Sequence, residues 1–158
     1  MTSDRRSPTV TNLTNLQPTI MPENISLGQA NHNPLNIRYT PANKWLGLDE
    51  KRPNVKGFCR FRADAYGYRA AVKLICTYMT KYDIRTPEGI CQRWAPPSEN
   101  HTLLYTMAVC GRAHLRPDER LTPRSEAVAR LVAAMARQES GMHITPQGVE
   151  EIRRRFGV

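Results

Sequence analysis

The chain of 158 residues is 40% hydrophobic and carries a formal net charge of +9, which indicates one basic globular domain and leaves little length for two. The charge favours an anionic partner such as nucleic acid, a membrane surface or a cell-wall glycan that bears carboxylates. No apolar run could span a bilayer, and no secretory signal core follows Met1, so we expect synthesis in the cytoplasm, no membrane insertion, and export only by another route.

The N-terminal stretch is rich in Thr, Ser, Asn and Pro, and its isolated apolar residues follow no steady period. We therefore predict a flexible arm over residues 1–29 and a single folded domain over residues 30–158. A short addressing or docking segment within the arm is the alternative.

The next stretch alternates apolar with polar residues and is interrupted by turn formers. Its apolar positions are Leu35, Ile37, Tyr39, Phe58 and Phe61. This pattern predicts a small antiparallel hairpin lobe with a long tip around residues 49–54.

Cap residues and apolar spacing then predict a series of helices. The first two begin at Asp64 and at Thr86-Pro87, and the pair Pro96-Pro97 cannot continue the second. The third begins at Asn100 and is closed by Gly111. The predicted apolar positions are Tyr68, Val72, Ile75 and Met79 in the first helix, and Leu103, Leu104, Met107 and Ala108 in the third.

The penultimate helix is predicted to begin at Thr122-Pro123, and a last, basic helix runs from Thr145-Pro146 to Phe156. The apolar stripe of the penultimate helix consists of Val128, Leu131, Val132 and Met135. About six helices around one lobe of strands define the predicted fold class, mainly α with a small β-hairpin lobe (α+β).

Glu139 falls one turn beyond Met135 on the same stripe, and Gly141 ends the helix. A carboxyl group that continues an apolar face is withdrawn from water, and burial favours the neutral form that general-acid catalysis requires. A solvated glutamate in the last helical turn is the alternative. We treat Glu139 as a candidate catalytic acid.

The four cysteines are widely spaced and form no C-x-x-C pair, which argues against structural zinc. They are Cys59, Cys76, Cys91 and Cys110. Each is interpreted first as a small core residue, with one or two disulfides left open. We expect no metal and no cofactor.

Three stretches match one known family in a different order. They are Asn33–Arg38 with Trp45-x-Gly47 and Phe58-x-x-Phe61, then Trp94–Asn100 leading to Tyr105, and finally Arg137–Gly141. In that order they resemble the core, the tyrosine-bearing stretch and the catalytic Glu-Ser-Gly motif of the autolysin and flagellum-associated β-N-acetylglucosaminidases. Soluble lytic transglycosylases share the Glu-Ser-Gly motif. In those families the glutamate precedes the β lobe, whereas here it comes last, the order that a circular permutation would produce.

The region from Asn31 to about Ser140 also resembles a family of phage virion proteins. The resemblance rests chiefly on the motifs NPLNIRY at residues 33–39 and RWAPPSENHT at residues 93–102. It implies a virion component and says little about chemistry.

Together the resemblances imply a lysozyme-like fold and a substrate in the glycan strands of peptidoglycan. Glu139 would be the acid, and Tyr105 either the functional tyrosine or a helix residue with its ring in the core. The substrate-binding positions that follow from the matches are Asn36, Arg38, Trp45, Trp94 and Glu99. The alternatives are core positions for Trp45 and Trp94 and a turn at Glu99. Asp49 and Glu50 are candidates for a second carboxylate, or two solvated acids.

Three functions remain open. The first, which we expect, is a muramidase, glucosaminidase or lytic transglycosylase carried in a virion or delivered by a secretion system to the periplasm or cell wall. Its partners would be peptidoglycan and virion or secretion-apparatus components, with no nucleic acid. The second is a non-catalytic structural or glycan-binding virion protein of the same fold. The third, nucleic-acid binding, rests on the net charge and on Arg153–Arg155.

Overall fold

A computed structural model describes residues 24–96 and 101–158, and within them the chain forms six α-helices and one two-stranded antiparallel sheet. The elements are α1 Leu27–Ala30, β1 Asn54–Val55, β2 Phe58–Cys59, α2 Asp64–Tyr82, α3 Pro87–Trp94, α4 Thr102–Ala113, α5 Glu126–Ser140 and α6 Pro146–Phe156. The predicted class, mainly α with a small β lobe, is confirmed. No helix in these residues combines the length and apolarity of a bilayer-spanning segment.

The helix starts follow local capping signals. The hydroxyls of Thr86 and Thr145 accept the N–H groups of Gly89 and Gly148, with proline in the first turn, so α3 and α6 begin as predicted. The predicted start of α5 at Thr122 is wrong. Ser125 caps the helix instead, because its hydroxyl accepts the N–H of Ala127.

Helix α5 is the centre of the packing and contacts α1, α2, α4 and α6. Its predicted stripe is fully buried, and so are the four predicted core positions of α2. Each such aliphatic side chain stabilises the fold by about 1.5–3 kcal/mol relative to exposure. The core therefore forms around the helix that carries Glu139.

The predicted apolar face of α4 is wrong. Leu103 and Met107 are 72% and 59% exposed, and the side that packs on the core consists of Tyr105, Thr106, Val109, Cys110 and Ala113. The helix also continues through Gly111 to a left-handed cap at His114. The predicted cap, Asn100, lies outside the described residues.

The β lobe is a short hairpin. Strands β1 and β2 pair around Lys56-Gly57, whose φ angles of 54° and 91° suit a two-residue turn of the mirror-image type. The turn thus lies just beyond the tip predicted around residues 49–54. Two isolated antiparallel β-bridges, between Arg38 and Phe58 and between Leu48 and Phe61, extend the lobe.

The predicted arm, residues 1–29, lies mostly outside the described residues. Its last residues are described, and there Ser26 caps α1, which packs on α5. The capping is reciprocal, since Ser26 and Gln29 each bond the other's backbone N–H.

Candidate active site at the end of α5

Glu139 lies in the last turn of α5 and is only 3% exposed. Ser140 follows it and is also buried, and Gly141 ends the helix with a φ of 75°, a left-handed conformation that glycine adopts at little cost. The sequence Glu-Ser-Gly therefore marks a helix end whose final carboxyl group faces inward.

Two other predicted residues meet Glu139. The hydroxyl of Tyr105 donates a hydrogen bond to its Oε2 at 2.7 Å. The amide of Asn36 donates to its backbone carbonyl at 2.9 Å and lies 3.4 Å from Oε1. Tyr105 and Asn36, which lie 34 and 103 positions from Glu139 in the sequence, thus both contact its carboxyl group.

The loop that presents Asn36 is fixed by a neighbouring asparagine. Asn36 has a φ of 52°, a left-handed conformation that Asn tolerates better than most residues. The side chain of Asn33 accepts the N–H of Ile37 at 2.9 Å and donates to the carbonyls of Ile37 and Cys59. Together with the buried side chains of Leu35 and Ile37, these bonds hold the loop against the lobe.

Trp94 supports the same loop from behind. Its indole N–H donates to the carbonyl of Leu35 at 3.2 Å, and its ring meets Tyr78 edge-on with the centroids 5.9 Å apart. The side chain is completely buried, so it presents no face to a sugar ring. Its place in the structure is that of a positioning residue for the loop of Asn36.

Helix α1 closes the site at the end of α5. The Ser26 hydroxyl donates to the carbonyl of Ser140 at 2.6 Å. A Cβ at Gly28 would come within 2.6 Å of the Ser140 Cβ and 2.8 Å of the Asn33 carbonyl oxygen, so glycine permits this close approach. Sequence reasoning missed Ser26 and Gly28. The Ser26-x-x-Gln29 capping box was the signal that identifies this helix.

Trp45 lies in the β lobe, where it lines an open cleft of about 510 Å³ with Tyr39, Asp49, Glu50 and other residues. Its ring is half-buried, and its indole nitrogen is buried without a hydrogen-bond partner in the described part of the chain. The cleft therefore offers an aromatic wall and exposed polar groups.

The W-x-G motif has a steric basis. The ring of Tyr66 lies on Gly47, where an added Cβ would overlap the aromatic carbons. Tyr66 in turn packs against Phe156 of α6, with the ring centroids 5.6 Å apart. The glycine thus seats the Trp45 segment against the helical body.

Two predicted residues remain, Arg38 and Glu99. The Arg38 guanidinium lies over the ring of Phe58, 4.7 Å from its centroid, on the β lobe. Glu99 lies outside the described residues. Of the seven predicted positions, the structure brings Asn36, Tyr105 and Glu139 together.

Asp49, a candidate second carboxylate, is tied into the lobe. Its Oδ1 accepts the N–H groups of Arg52 at 3.1 Å and Lys51 at 3.0 Å, and its Oδ2 pairs with Arg60 at 3.2 Å. The backbone N–H of Arg52, followed by the bonds to Lys51 and Arg60, lowers the pKa of this carboxyl below its usual value. Asp49 is therefore a stable anion that shapes the cleft.

The fold and the site define a class of protein: a small, basic, mainly helical domain that directs one buried carboxyl group, at a helix end, towards a β lobe. The chain is 31% identical over 131 residues to protein P5 of Pseudoalteromonas phage PM2, a match that covers 82% of this chain and 79% of that protein. The chain belongs to the family of that phage protein. No protein-family model matches it.

Proposed function

We propose that the chain is a virion-associated enzyme that cleaves the glycan strands of peptidoglycan, with Glu139 as its general acid. Membership in a phage protein family supports a place in a phage particle. The observation that carries the enzymatic part is the meeting of Asn36 and Tyr105 with Glu139. These are the residues that the lysozyme-like resemblance selects from three separate stretches.

A circular permutation accounts for their order along the chain. The glutamate follows the β lobe in sequence, yet its carboxyl group lies within reach of the lobe's Asn36 amide. A site depends on positions in space, so the same arrangement of acid and lobe serves the chemistry in either chain order.

The chemistry requires a proton at the glycosidic oxygen as the bond breaks, because an alkoxide is a poor leaving group. Glu139 donates that proton in our proposal, and burial at the end of α5 limits its contact with water. The Tyr105 hydroxyl orients the carboxyl group through Oε2, while Asn36 fixes the helix end through the backbone carbonyl. The Trp45 cleft binds the strand beyond the cleaved bond, its aromatic wall suiting the flat face of a sugar ring.

The test is clearing of purified peptidoglycan by the wild type and by two isosteric variants, Glu139→Gln and Glu151→Gln. Glu151 is an exposed residue of α6, so its variant carries the same charge change at a remote position. We expect the wild type and Glu151→Gln to clear the suspension and Glu139→Gln to fail, with all three showing the same circular dichroism. Mass spectrometry of the fragments then identifies the cleaved bond and separates hydrolysis from anhydro-sugar formation.

A second candidate function is a non-catalytic virion protein that holds glycan or another virion part. It is favoured by the 3% exposure of Glu139 and by the donors already placed at its oxygens, since such a pair also serves as a buried structural link. No clearing by any of the three folded proteins, with wild-type binding to peptidoglycan in a pull-down, would establish this candidate over the enzyme.

A further inference from the structure

A second cleft, of about 300 Å³, lies between the end of α4, the outer side of α5 and the segment that leads into α6. Its ionisable lining consists of Arg112, His114, Arg130, Arg137 and His143, with no aspartate or glutamate among the lining residues. Alanine and aliphatic side chains complete the wall. We call this the basic cleft.

The arginines of the basic cleft differ in their partners. Arg130 pairs with Glu126 at 3.1 Å and donates to the carbonyls of Ala113 and His114, so it ties α4 to α5. Its charge is offset within the protein. This arginine is therefore a structural residue of the cleft.

Arg112 and Arg137 bond only to neutral acceptors in the described part of the chain. Arg112 donates to the Gln138 side chain at 2.8 Å, and Arg137 donates to the Gly141 carbonyl at 3.0 Å. Each bond uses one of the five N–H groups of a guanidinium and fixes the direction of the rest. Two cations thus line one cleft without a carboxylate partner among the described residues.

A carboxylate is the ligand that this arrangement fits. Guanidinium groups recognise carboxylates through paired N–H donors, and a cleft concentrates the attraction of its like charges for an anion. The aliphatic part of the lining suits a ligand whose acid groups are attached to small apolar side chains.

The basic cleft is linked to the candidate active site through two helices. Arg112 lies seven residues beyond Tyr105 on α4, which places it on the same side of the helix and about 10 Å along its axis. Its bonding partner, Gln138, directly precedes Glu139. The two sites therefore share α4 and α5, although Arg137 lines the cleft on the side of α5 opposite to the buried side that carries Glu139.

We infer that the basic cleft binds carboxylate groups of peptidoglycan. The inference rests on the proposed function and names the part of the substrate that the second cleft recognises. Two sources carry this chemistry, namely the lactyl carboxylate of sugars that carry no stem peptide and the carboxylates of the stem peptide.

The test compares the wild type with the double variant Arg112→Gln/Arg137→Gln by calorimetry at low salt. The probes are a soluble stem tripeptide, glycan strands freed of their peptides by an amidase, neutral N-acetylglucosamine oligomers, and duplex DNA. A charge-matched control, Arg116→Gln/Arg120→Gln, removes two arginines that are 74% and 72% exposed and lie outside the cleft.

We expect the double variant to lose about tenfold or more in affinity for one acidic probe, the scale of a charge-assisted hydrogen bond, while the control retains it. Loss for the tripeptide assigns the stem peptide, and loss for the freed strands assigns the lactyl group. Binding of the neutral oligomer should be equal in all three proteins.

Equal affinities of the double variant and the control for both acidic probes would overturn the inference, and so would wild type that binds neither. Loss of duplex DNA binding alone, with the binding of both acidic probes unaffected, would overturn the inference in favour of a phosphate site.

The enzymatic proposal and the carboxylate site can fail separately. If the wild type binds the tripeptide through the cleft but never clears peptidoglycan, the carboxylate site is supported and the enzymatic proposal is wrong. If the protein cleaves peptidoglycan and the Arg112 and Arg137 substitutions have no effect, the enzymatic proposal is supported and the carboxylate site is wrong.

Discussion

The hydroxyl of Tyr105 donates a 2.7 Å hydrogen bond to Oε2 of Glu139, and both side chains are at least 97% buried. A polar group removed from water is stable only when it is hydrogen-bonded, so each of these residues supplies a partner that the other needs. The bond also joins α4 to α5. It therefore constrains the carboxyl group whichever of the two candidate functions is correct.

Tyr105→Phe should destabilise the protein by about 1–3 kcal/mol, because it leaves Oε2 of Glu139 without this donor in a buried place. The measurement is the free energy of unfolding from urea titration. Tyr82→Phe is the matched control, since Tyr82 is 43% exposed and its hydroxyl is close to water. Equal stability of the two variants would mean that the bond to Glu139 contributes nothing. If the enzymatic proposal holds, Tyr105→Phe also slows clearing of peptidoglycan, but less than Glu139→Gln does.

Gly28→Ala should destabilise the protein by about 1–3 kcal/mol, as overpacking does in a tight core, and should displace the end of α5. Its Cβ would meet the Ser140 Cβ and the backbone of Asn33 at distances that require a shift. Gly111→Ala is the control. Gly111 lies on the exposed side of α4 with nothing within 4 Å of the added carbon, so that change should stabilise the helix by roughly 0.5–1 kcal/mol.

Thermal unfolding of the two glycine variants measures both effects. A melting temperature of Gly28→Ala at or above that of the wild type would show that α1 does not pack as closely against Ser140 as described. The two substitutions add the same methyl group, so their opposite signs isolate the close approach from helix propensity.

The features predicted correctly from the sequence are those that depend on neighbouring residues. Thr86 and Thr145 cap their helices through bonds that close within three residues, and Gly141 ends α5 through its own backbone freedom. The burial of Glu139 follows from one strong apolar stripe, since α5 is covered on several sides and its face is unambiguous.

The features that failed depend on contacts between distant segments. On α4, Leu103 with Met107 and Tyr105 with Val109 both show helical spacing, and only packing against α5 selects the second pair. The choice between the two roles considered for Trp94 likewise depends on distant contacts, among them the bond from its indole to Leu35, 59 residues away. The meeting of Asn36 with Glu139 was implied by a family resemblance and not by any local pattern.

The stability of the protein should fall as the pH rises above about 9, partly because of Cys59. Burial raises the pKa of this thiol from its usual 9.0 to about 12. Between those values the unfolded chain releases the proton while the folded protein retains it, so stability is lost by up to about 1.4 kcal/mol per pH unit. Burial also raises the pKa values of Cys76, Cys110 and Tyr68, which act in the same direction.

Cys59→Ala isolates this contribution. The free energy of unfolding, measured by urea titration at several pH values from 8 to about 10.5, should decline less steeply in the variant than in the wild type. Parallel curves would indicate that the Cys59 thiol ionises as readily in the folded protein as in the unfolded chain. The lower overall stability expected from removing a buried sulfur does not affect the slope.

Fluorescence should separate the two tryptophans of the chain, because Trp45 lines the cleft of the β lobe and Trp94 is buried in the core. If glycan binds in that cleft, neutral N-acetylglucosamine oligomers will change the emission of the wild type and of Trp94→Phe, but not that of Trp45→Phe. Stacking of a sugar on the Trp45 ring alters the surroundings of that indole, while Trp94 has no exposed surface to contact a ligand.

Trp94→Phe should also lower the stability of the protein, since the indole donor to the Leu35 carbonyl is removed. If the oligomers still changed the emission of Trp45→Phe as they change that of the wild type, the glycan would bind elsewhere. Trp45→Phe therefore tests glycan binding in the cleft even if Trp94→Phe does not fold.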